Sequence, residues 1–202
     1  MQRAPRAHGE RLATYLERNP IVRASEVERL GIPREYLLRL QREGKISRAS
    51  RGVYMLNSAE ITENHSLAEV AKRVPNAVVC LISALSFHGL TTQIPHEVWI
   101  AVDRRARRPA GVSPRIRVFR VSPPAFDAGI EIKNIESVPV RIYSAAKTVA
   151  DCFKFRNKIG LDVAIEALKD AVRQRKATRS AIFEFARLCR VEKVIQPYLD
   201  AI

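Results

Sequence analysis

The first 60 residues alternate between short stretches of helical periodicity and residues that favour turns. Leu12, Tyr15 and Leu16 recur at helical spacing, and they predict the apolar face of a helix over residues 8–18. The Asn-Pro pair that follows ends this helix, because the residue before a proline disfavours helical backbone. A short strand is expected for the apolar pair that comes next.

Two further short helices are predicted before residue 45. Ser25 fits the N-cap of the first, with Glu28 three residues later as the second member of a capping box. This helix is brief, because Gly31 soon follows. Pro33 suits the first position of the next helix, where its missing N–H would have no partner anyway. Gly44 suits the left-handed residue that follows the helix end.

A hairpin is predicted after the last of these helices. Residues 45–47 and 53–56 are short strand candidates, and Gly52 permits the turn between them. Two short helices, a tight turn and a hairpin are typical of a winged helix-turn-helix. We therefore predict a DNA-binding domain of this type over residues 1–60, with its boundary in the polar stretch 57–63.

Residues 61–202 combine strand patterns with helix patterns. We expect a helix near 66–73, a strand and helix over 77–88, strands at 98–102, 116–119 and 138–143, and helices at about 145–155, 162–175, 179–189 and 191–199. The predicted fold class is α+β. An N-terminal winged helix-turn-helix is joined to a mixed α/β C-terminal domain, residues 61–202, that ends in a helical segment.

Charge adds a functional expectation to this pattern. The chain has 35 basic and 21 acidic residues, a net charge of +14, and a calculated pI near 10.3. Residues 1–60 contribute +5 and residues 61–202 contribute +9. Such an excess predicts attraction to phosphate, although a basic chain also suits an acidic protein partner.

Other features of the sequence bear on compartment and cofactors. No apolar run approaches the roughly 20 residues that span a bilayer, and the N-terminus lacks the uninterrupted apolar core of a secretory signal. Cys80, Cys152 and Cys189 lie far apart among apolar residues, which favours buried reduced thiols over a zinc site. We expect a cytoplasmic protein that needs no metal or other cofactor.

The helix predicted over 33–43 has the amphipathic pattern of a recognition helix. Leu37 and Leu40 fall on one side, and Glu35, Arg39 and Arg42 fall on the other. Such a helix enters the major groove, where arginine contacts guanine or phosphate. The alternative is a solvated helix face. The predicted DNA-binding residues of the helix, its flanks and the hairpin are Arg34, Glu35, Tyr36, Arg39, Arg42, Lys45, Arg48, Ser50 and Arg51.

A second basic patch has no acidic residue between its first and last members, Arg104 and Arg120. Prolines and Gly111 predict a loop for its first part, and alternation in the strand that follows places Arg115 and Arg117 on one face. A solvated loop, a second nucleic-acid contact and a site for an acidic protein surface all fit the pattern. The members of the second basic patch are Arg104, Arg105, Arg107, Arg108, Arg115, Arg117 and Arg120.

Three motifs, in order along the chain, resemble the AbiEi-like antitoxins, the transcriptional regulators of type IV toxin–antitoxin pairs. The first is GKI at 44–46 followed by RGVY at 51–54. The second is LISALSFHGL at 81–90, and the third is IYSAAKTVAD at 142–151. The likeness spans nearly the entire chain, in order.

The resemblance implies a winged-helix domain that binds repeats at its own promoter. It also implies a C-terminal domain that neutralises a nucleotidyltransferase toxin, directly or indirectly, since the two proteins of this class need not form a stable complex. The expected partners are therefore double-stranded DNA and such a toxin, with the chain a monomer or weak dimer. A winged-helix regulator without a toxin partner is the alternative.

Three positions inside these motifs have simple structural explanations. His88 precedes a glycine at a predicted helix end, where it is expected to cap carbonyl groups. Lys147 and Asp151 are four residues apart on one predicted helix, so we expect them to form an ion pair on its surface.

A magnesium-dependent nuclease is the enzyme alternative. Glu131 and Lys133, with Asp127 or Asp103 upstream, match an Asp…Glu-x-Lys pattern in which carboxylates hold Mg²⁺ and the lysine assists the water nucleophile. The Glu-x-Lys triplet is common by chance, however, and a turn is predicted just before it. The sequence contains no P-loop, nucleophile elbow or dinucleotide fingerprint. The prediction is a protein that is not an enzyme.

Overall fold

Helices and strands both contribute to the computed structural model of the chain, which describes residues 4–110 and 113–202. The chain separates into two units. The first takes the described residues of Met1–Pro75, Pro109–Pro114 and Lys133–Val140, and the second takes Asn76–Arg108, Arg115–Ile132 and Arg141–Ile202. Both units mix helix and strand, which confirms the predicted α+β class.

The first unit is built from four helices and a small antiparallel sheet within its described residues. Its elements are α1 (Ala4–Arg18), β1 (Ile21–Arg23), α2 (Ala24–Arg29), α3 (Glu35–Arg42), β2 (Ile46–Ser50), β3 (Val53–Leu56) and α4 (His65–Arg73). The sheet order is β1-β3-β2, with Ile21 opposite Met55 and Ile46 opposite Leu56. This order of elements gives a helix-turn-helix arrangement followed by a hairpin, as the sequence predicted.

The start of α2 differs from its prediction. Arg23 is the N-cap, and its backbone N–H donates to the Glu26 carboxylate at 2.9 Å. The capping box assigned to Ser25 and Glu28 is therefore wrong. The reason is that β1 passes directly into α2, so the strand pairing and the burial of Val27 set the helix start.

α3 is shorter than predicted at its N-terminal end. Arg34 is its N-cap, and Pro33 lies in the turn before it, where the Pro33 carbonyl accepts a hydrogen bond from the Tyr36 N–H at 3.1 Å. At the other end Gly44 has a φ of 68°, the left-handed conformation expected of the residue that ends this helix.

The first unit extends beyond the boundary predicted near residue 60. α4 packs against β1 and β3, and Lys72 Nζ lies 3.0 Å from Glu26 Oε2. The Thr62 N–H and hydroxyl each donate to one Glu136 oxygen at 2.8 Å, and the other oxygen lies 2.6 Å from His65 Nδ1. These contacts hold residues 61–75 to the unit, and no local sequence pattern predicts them.

The second unit contains most of a five-stranded mixed sheet and a helical layer. Its elements are β4 (Val78–Val79), α5 (Leu81–Phe87), β5 (Val98–Asp103), β6 (Ile116–Val121), β7 (Ile130–Ile135), β8 (Val138–Tyr143), α6 (Ala145–Lys154), α7 (Arg156–Ile159), α8 (Leu161–Arg173), α9 (Arg179–Leu188) and α10 (Glu192–Asp200), of which the residues from 133 to 140 fall in the first unit. The sheet order is β6-β5-β4-β8-β7. β5 is parallel to β6, and β4 is parallel to β8.

Two elements of this region were not predicted. β7 is an edge strand; its sequence begins with the alternation Ile130-Glu131-Ile132-Lys133, which was the available signal, and Ile132 is 71% exposed. α7 is a single helical turn, too short for periodicity to reveal.

α6 is the central helix of the second unit. It packs against α5, α8, α9 and α10, and Val149, Cys152 and Phe153 on it are fully buried. None of the helices in the described part of the chain combines the length and the apolar character needed to cross a bilayer.

Candidate nucleic-acid interface

The inner face of α3 attaches this helix to the first unit. Leu37 is fully buried in a core cluster with Leu12, Val27 and Tyr54, and Leu40 packs half-buried against the same cluster. Burial of one leucine side chain stabilises a protein by roughly 1.5–3 kcal/mol. The two leucines therefore fix the rotation of α3 about its axis, as the sequence predicted.

That rotation turns a charged face of α3 outward. We call it the outer face; it consists of Arg34, Glu35, Arg39 and Arg42, all of which are exposed. Tyr36 differs, because its half-buried ring packs against the core and lies 5.6 Å from the His8 ring. Among the predicted contacts on α3 and its N-cap, Tyr36 is thus the one with a clear packing role.

Glu43 is a member of this region that the DNA-binding prediction left out. Its carboxylate accepts from Arg39 Nε and from Lys45 Nζ, each at 2.9 Å. Hydrogen bonds from Lys45 and then Arg39 hold the pKa of Glu43 below its ordinary value. Glu43 therefore neutralises part of the positive charge on two predicted DNA contacts, and the i, i+4 spacing of Arg39 and Glu43 was the available sequence signal.

The hairpin presents Lys45, Arg48 and Arg51 to solvent. Ser50 does not belong with them, since it is 8% exposed and its buried Oγ has no hydrogen-bond partner among the described residues. The register shifts between Arg48 and Ser50, so that Ser50 lies opposite the fully buried Val53, on the other face of the strand from Arg48. The prediction that Ser50 contacts DNA is therefore corrected.

The strand portion of the second basic patch is engaged in local contacts. Arg117 Nε lies 2.5 Å from Glu97 Oε1, and the guanidinium carbon lies 4.6 Å from the centroid of the Trp99 ring. Arg115 and Arg117 border the same depression in the second unit, which agrees with the predicted shared face. Gly111, part of the predicted loop, lies outside the described residues.

The two ends of the second basic patch meet elsewhere. Arg104 follows β5 and Arg120 lies near the end of β6, and both border a different cavity of the second unit. Three cations from the helical layer, Lys154, Arg187 and Arg190, border that cavity as well. The patch is therefore continuous in sequence but divided in space.

The third motif forms a buried polar cluster around α6. Lys147 Nζ lies 2.5 Å from Asp151 Oδ2, and their side chains are 0% and 3% exposed. Cys189 Sγ donates to Asp151 Oδ1 at 3.2 Å, and Lys147 Nζ lies 4.2 Å from the Tyr143 ring centroid. The predicted ion pair exists, but its placement on the surface was wrong because neighbouring helices enclose α6. His88 Nε2 donates to the Tyr143 carbonyl at 2.8 Å.

The three cysteines are buried and free, as predicted. Burial, with a further contribution from Asp151, raises the pKa of the Cys80 and Cys152 thiols well above the ordinary value. The same causes, in the same order, raise the pKa of Cys189 to about 12. None of the three is therefore an activated nucleophile at neutral pH.

Of the two carboxylates that could accompany Glu131 in the possible nuclease pattern, Asp127 lies just before β7 and Asp103 lies on a distant strand. Asp103 ends β5 and Glu131 lies on β7, with β4 and β8 between them. Strands lie about 4.8 Å apart, so the two carboxylate-bearing strands are separated by roughly 14 Å. Within residues 4–110 and 113–202, no three His, Cys, Asp or Glu side chains are grouped so as to hold a metal ion.

Residues 10–57 match the family described as "Transcriptional regulator, AbiEi antitoxin". The matched region extends from α1 to the residue after β3, so the resemblance is confirmed for the part of the chain that carries the outer face and the hairpin. The second and third motifs lie outside it. No curated protein sequence matches the chain.

A similar fold occurs in a solved structure, the crystal structure of RV2827C protein from Mycobacterium tuberculosis. The two share 15% sequence identity with a TM-score of 0.60, and the similarity covers 89% of this chain and 71% of that one. At this identity the likeness shows a shared fold, and it includes most of both chains.

Proposed function

We propose that this chain is the antitoxin of a type IV toxin–antitoxin pair, which represses its own operon by binding promoter repeats and neutralises a nucleotidyltransferase toxin. The family match over residues 10–57 supports the regulator part of the proposal. The observation that carries DNA binding is the outer face, where Arg39 and Arg42 are exposed opposite the buried Leu37.

In this proposal α3 enters the major groove and the hairpin acts as the wing. An α-helix fits the major groove, and arginine there contacts guanine O6 and N7 in bidentate fashion. Arg48 and Arg51, which are exposed on the hairpin, would bind the phosphate backbone beside the groove. Glu43 must release Arg39 and Lys45, at least in part, for both cations to reach DNA.

An electrophoretic mobility assay with the chain's own upstream DNA tests this arrangement. Arg39→Ala combined with Arg42→Ala should weaken binding by at least about tenfold, since each base-contacting arginine is worth roughly 1–3 kcal/mol. Where these arginines contact phosphate, the salt dependence should also become shallower. Unaltered binding by the double variant would show that α3 is not the reading helix.

A matched control separates contact from bulk charge. Arg173 and Arg179 are exposed on α8 and α9 of the second unit, and replacing both by alanine removes the same two charges. We expect this control to bind DNA with nearly wild-type affinity. An equal loss in both double variants would indicate that net charge, rather than the outer face, drives the interaction.

The toxin half of the proposal is tested through the neighbouring gene. A nucleotidyltransferase encoded there should arrest growth when expressed alone and be harmless when this chain is present. If growth arrest persists in the presence of the chain, the chain does not neutralise this toxin. That result would favour the alternative function, a regulator without a toxin partner. Affinity capture of the toxin would then separate direct from indirect neutralisation.

Two further features belong to the same proposal. The protein acts in the cytoplasm as a monomer or weak dimer, which size-exclusion chromatography over a range of concentrations would check. It is not an enzyme, and Mg²⁺-dependent cleavage of DNA that disappears in Glu131→Ala would establish the nuclease alternative instead.

A further inference from the structure

The second unit contains a basic cavity that DNA binding by α3 does not use. Its volume is about 690 Å³, within the range of roughly 300–1,000 Å³ typical of small-molecule sites. Arg104 follows β5, Val121 ends β6 and the segment from Ser122 to Ala125 follows it, so the carboxyl ends of two parallel strands form one side. Crevices at the carboxyl ends of parallel strands are where open α/β sheets commonly bind ligands.

We call this cavity the basic pocket, because five cations border it. Two come from the strand side and three from the ends of α6 and α9: Arg104, Arg120, Lys154, Arg187 and Arg190. Among the described residues that line it, none is acidic. Two pocket residues contact a carboxylate: Arg187 lies 3.7 Å from Glu184, and Cys189 donates to Asp151, which already pairs with Lys147.

Cations at helix C-termini also have a purely structural explanation, since they offset the negative end of the helix dipole. α6 ends at Lys154 and α9 ends at Leu188, so two such ends contribute about −0.5 charge each. Five positive side chains exceed this by about four charges. The helix ends therefore account for only a small part of the excess, and the pocket retains a positive field suited to an anion.

The lining also indicates the class of anion. No aromatic side chain is present among the described residues of the pocket, so a nucleobase would find no stacking partner there. The apolar lining of the pocket is small, with Val121 and Ala125 buried and Leu188 half-buried, whereas all five cations are exposed. Guanidinium groups match the geometry of phosphate oxygens and bind them in bidentate fashion. A cavity bordered by five cations suits a compact, multiply charged group better than the convex backbone of a duplex.

We propose that the basic pocket binds a compact oligophosphate, a diphosphate or triphosphate group such as a nucleotide carries, and that it recognises the phosphates rather than the base. This site goes beyond the proposed function and does not depend on it. Loss of DNA binding by the outer face would leave the pocket intact, and an empty pocket would leave promoter binding intact.

The test is a calorimetric titration of the full chain at low salt with inorganic tripolyphosphate. Tripolyphosphate should bind at least about tenfold more tightly than monophosphate, since it can engage several charge-assisted hydrogen bonds at once. Arg104→Gln with Arg190→Gln, one change on each side of the pocket, should weaken tripolyphosphate binding by about tenfold or more. The control is Arg173→Gln with Arg179→Gln, which removes two exposed charges outside the pocket and should leave affinity within about twofold.

Two arms distinguish the sources of an oligophosphate. If the free nucleotide is the ligand, ATP and GTP should compete with tripolyphosphate about equally. If the end of an RNA chain is recognised, a short RNA with a 5′-triphosphate should compete better than the same RNA with a 5′-hydroxyl. Either pattern supports the site. Equal competition by both RNA forms would identify a nucleic-acid backbone contact and overturn the proposal.

Other results would also overturn it. One is that millimolar tripolyphosphate produces no heat of binding and no competition. The other is an equal loss of tripolyphosphate affinity in the pocket and control variants. If Arg104→Gln with Arg190→Gln does not fold, Lys154→Gln with Arg187→Gln changes the same pocket through different residues. A variant that loses stability while retaining tripolyphosphate affinity would show that these cations serve the helix ends alone.

Discussion

The buried ion pair between Lys147 and Asp151 makes a stringent prediction about stability. Both side chains are almost completely removed from solvent, and their charged atoms lie 2.5 Å apart. Lys147→Met leaves the Asp151 carboxylate buried without its cation, with Cys189 Sγ as a weak donor. Breaking a buried pair from one side costs about 3–5 kcal/mol, because the remaining charge is uncompensated.

The assay is urea unfolding followed by tryptophan fluorescence. Trp99 is the single tryptophan of the chain and lies 8% exposed in the second unit, so its signal reports the unit that contains the pair. With a urea dependence of about 2 kcal/mol per molar, the expected loss moves the midpoint down by roughly 2 M. Lys154→Met, at the exposed end of the same helix, should change stability by less than about 0.5 kcal/mol.

A double variant decides whether charge is the cause. Lys147→Met with Asp151→Asn removes both charges at nearly constant volume, so its stability should lie above that of Lys147→Met and within about 1–2 kcal/mol of the wild type. A midpoint for Lys147→Met within about 0.5 M of the wild type would refute the reasoning. So would a double variant whose loss equals the sum of the two single losses.

Four other consequences of the structure can be measured. Glu43→Gln releases Arg39 and Lys45 and should tighten DNA binding by about threefold, whereas unchanged or weaker binding would contradict the competition described above. Gly129→Ala should cost about 2–4 kcal/mol, because its φ is 72° and a Cβ would lie 2.7 Å from that of Lys147; Gly52→Ala, at φ 77° with open space, should cost only about 1–2 kcal/mol, and equal losses would exclude a steric cause. Burial raises the pKa of Glu136, but hydrogen bonds from the Thr62 N–H, His65 and the Thr62 hydroxyl outweigh it and hold the pKa below the ordinary 4.5. The resulting stabilisation is complete above pH 4.5 and is lost as the pH falls through the lowered value; Glu136→Gln should therefore lower stability by about 1–3 kcal/mol at pH 7, and the difference in melting temperature should shrink in acid. Finally, a thiol reagent at pH 8 should label the native chain slowly and the urea-unfolded chain at once, and rapid native labelling would contradict burial of Cys80, Cys152 and Cys189.

The predicted DNA-binding residues show what a local sequence pattern can and cannot predict. The leucines at helical spacing correctly predicted which face of α3 is buried. Because side chains have fixed directions around a helix axis, the buried face also determines which residues face outward. The same approach failed for Ser50, since a shift in strand register reversed the side that it faces. It also failed for Ser25, since the preceding strand, rather than the best capping residue, determined where α2 begins.

By itself the sequence determined the class of the fold, the order of most elements, the charged face of α3 and the burial of the thiols. These depend on periodicity and residue type, which act between near neighbours in the chain. Only the tertiary structure decided that Lys147 and Asp151 pair in the interior, that Glu136 binds Thr62 and His65, and that the second basic patch divides. The basic pocket belongs to this second group, because its cations lie between residues 104 and 190 and approach one another only when two strand ends meet two helix ends. Such burial and charge clustering arise from contacts between residues that are far apart in the sequence. A local sequence pattern therefore does not predict them.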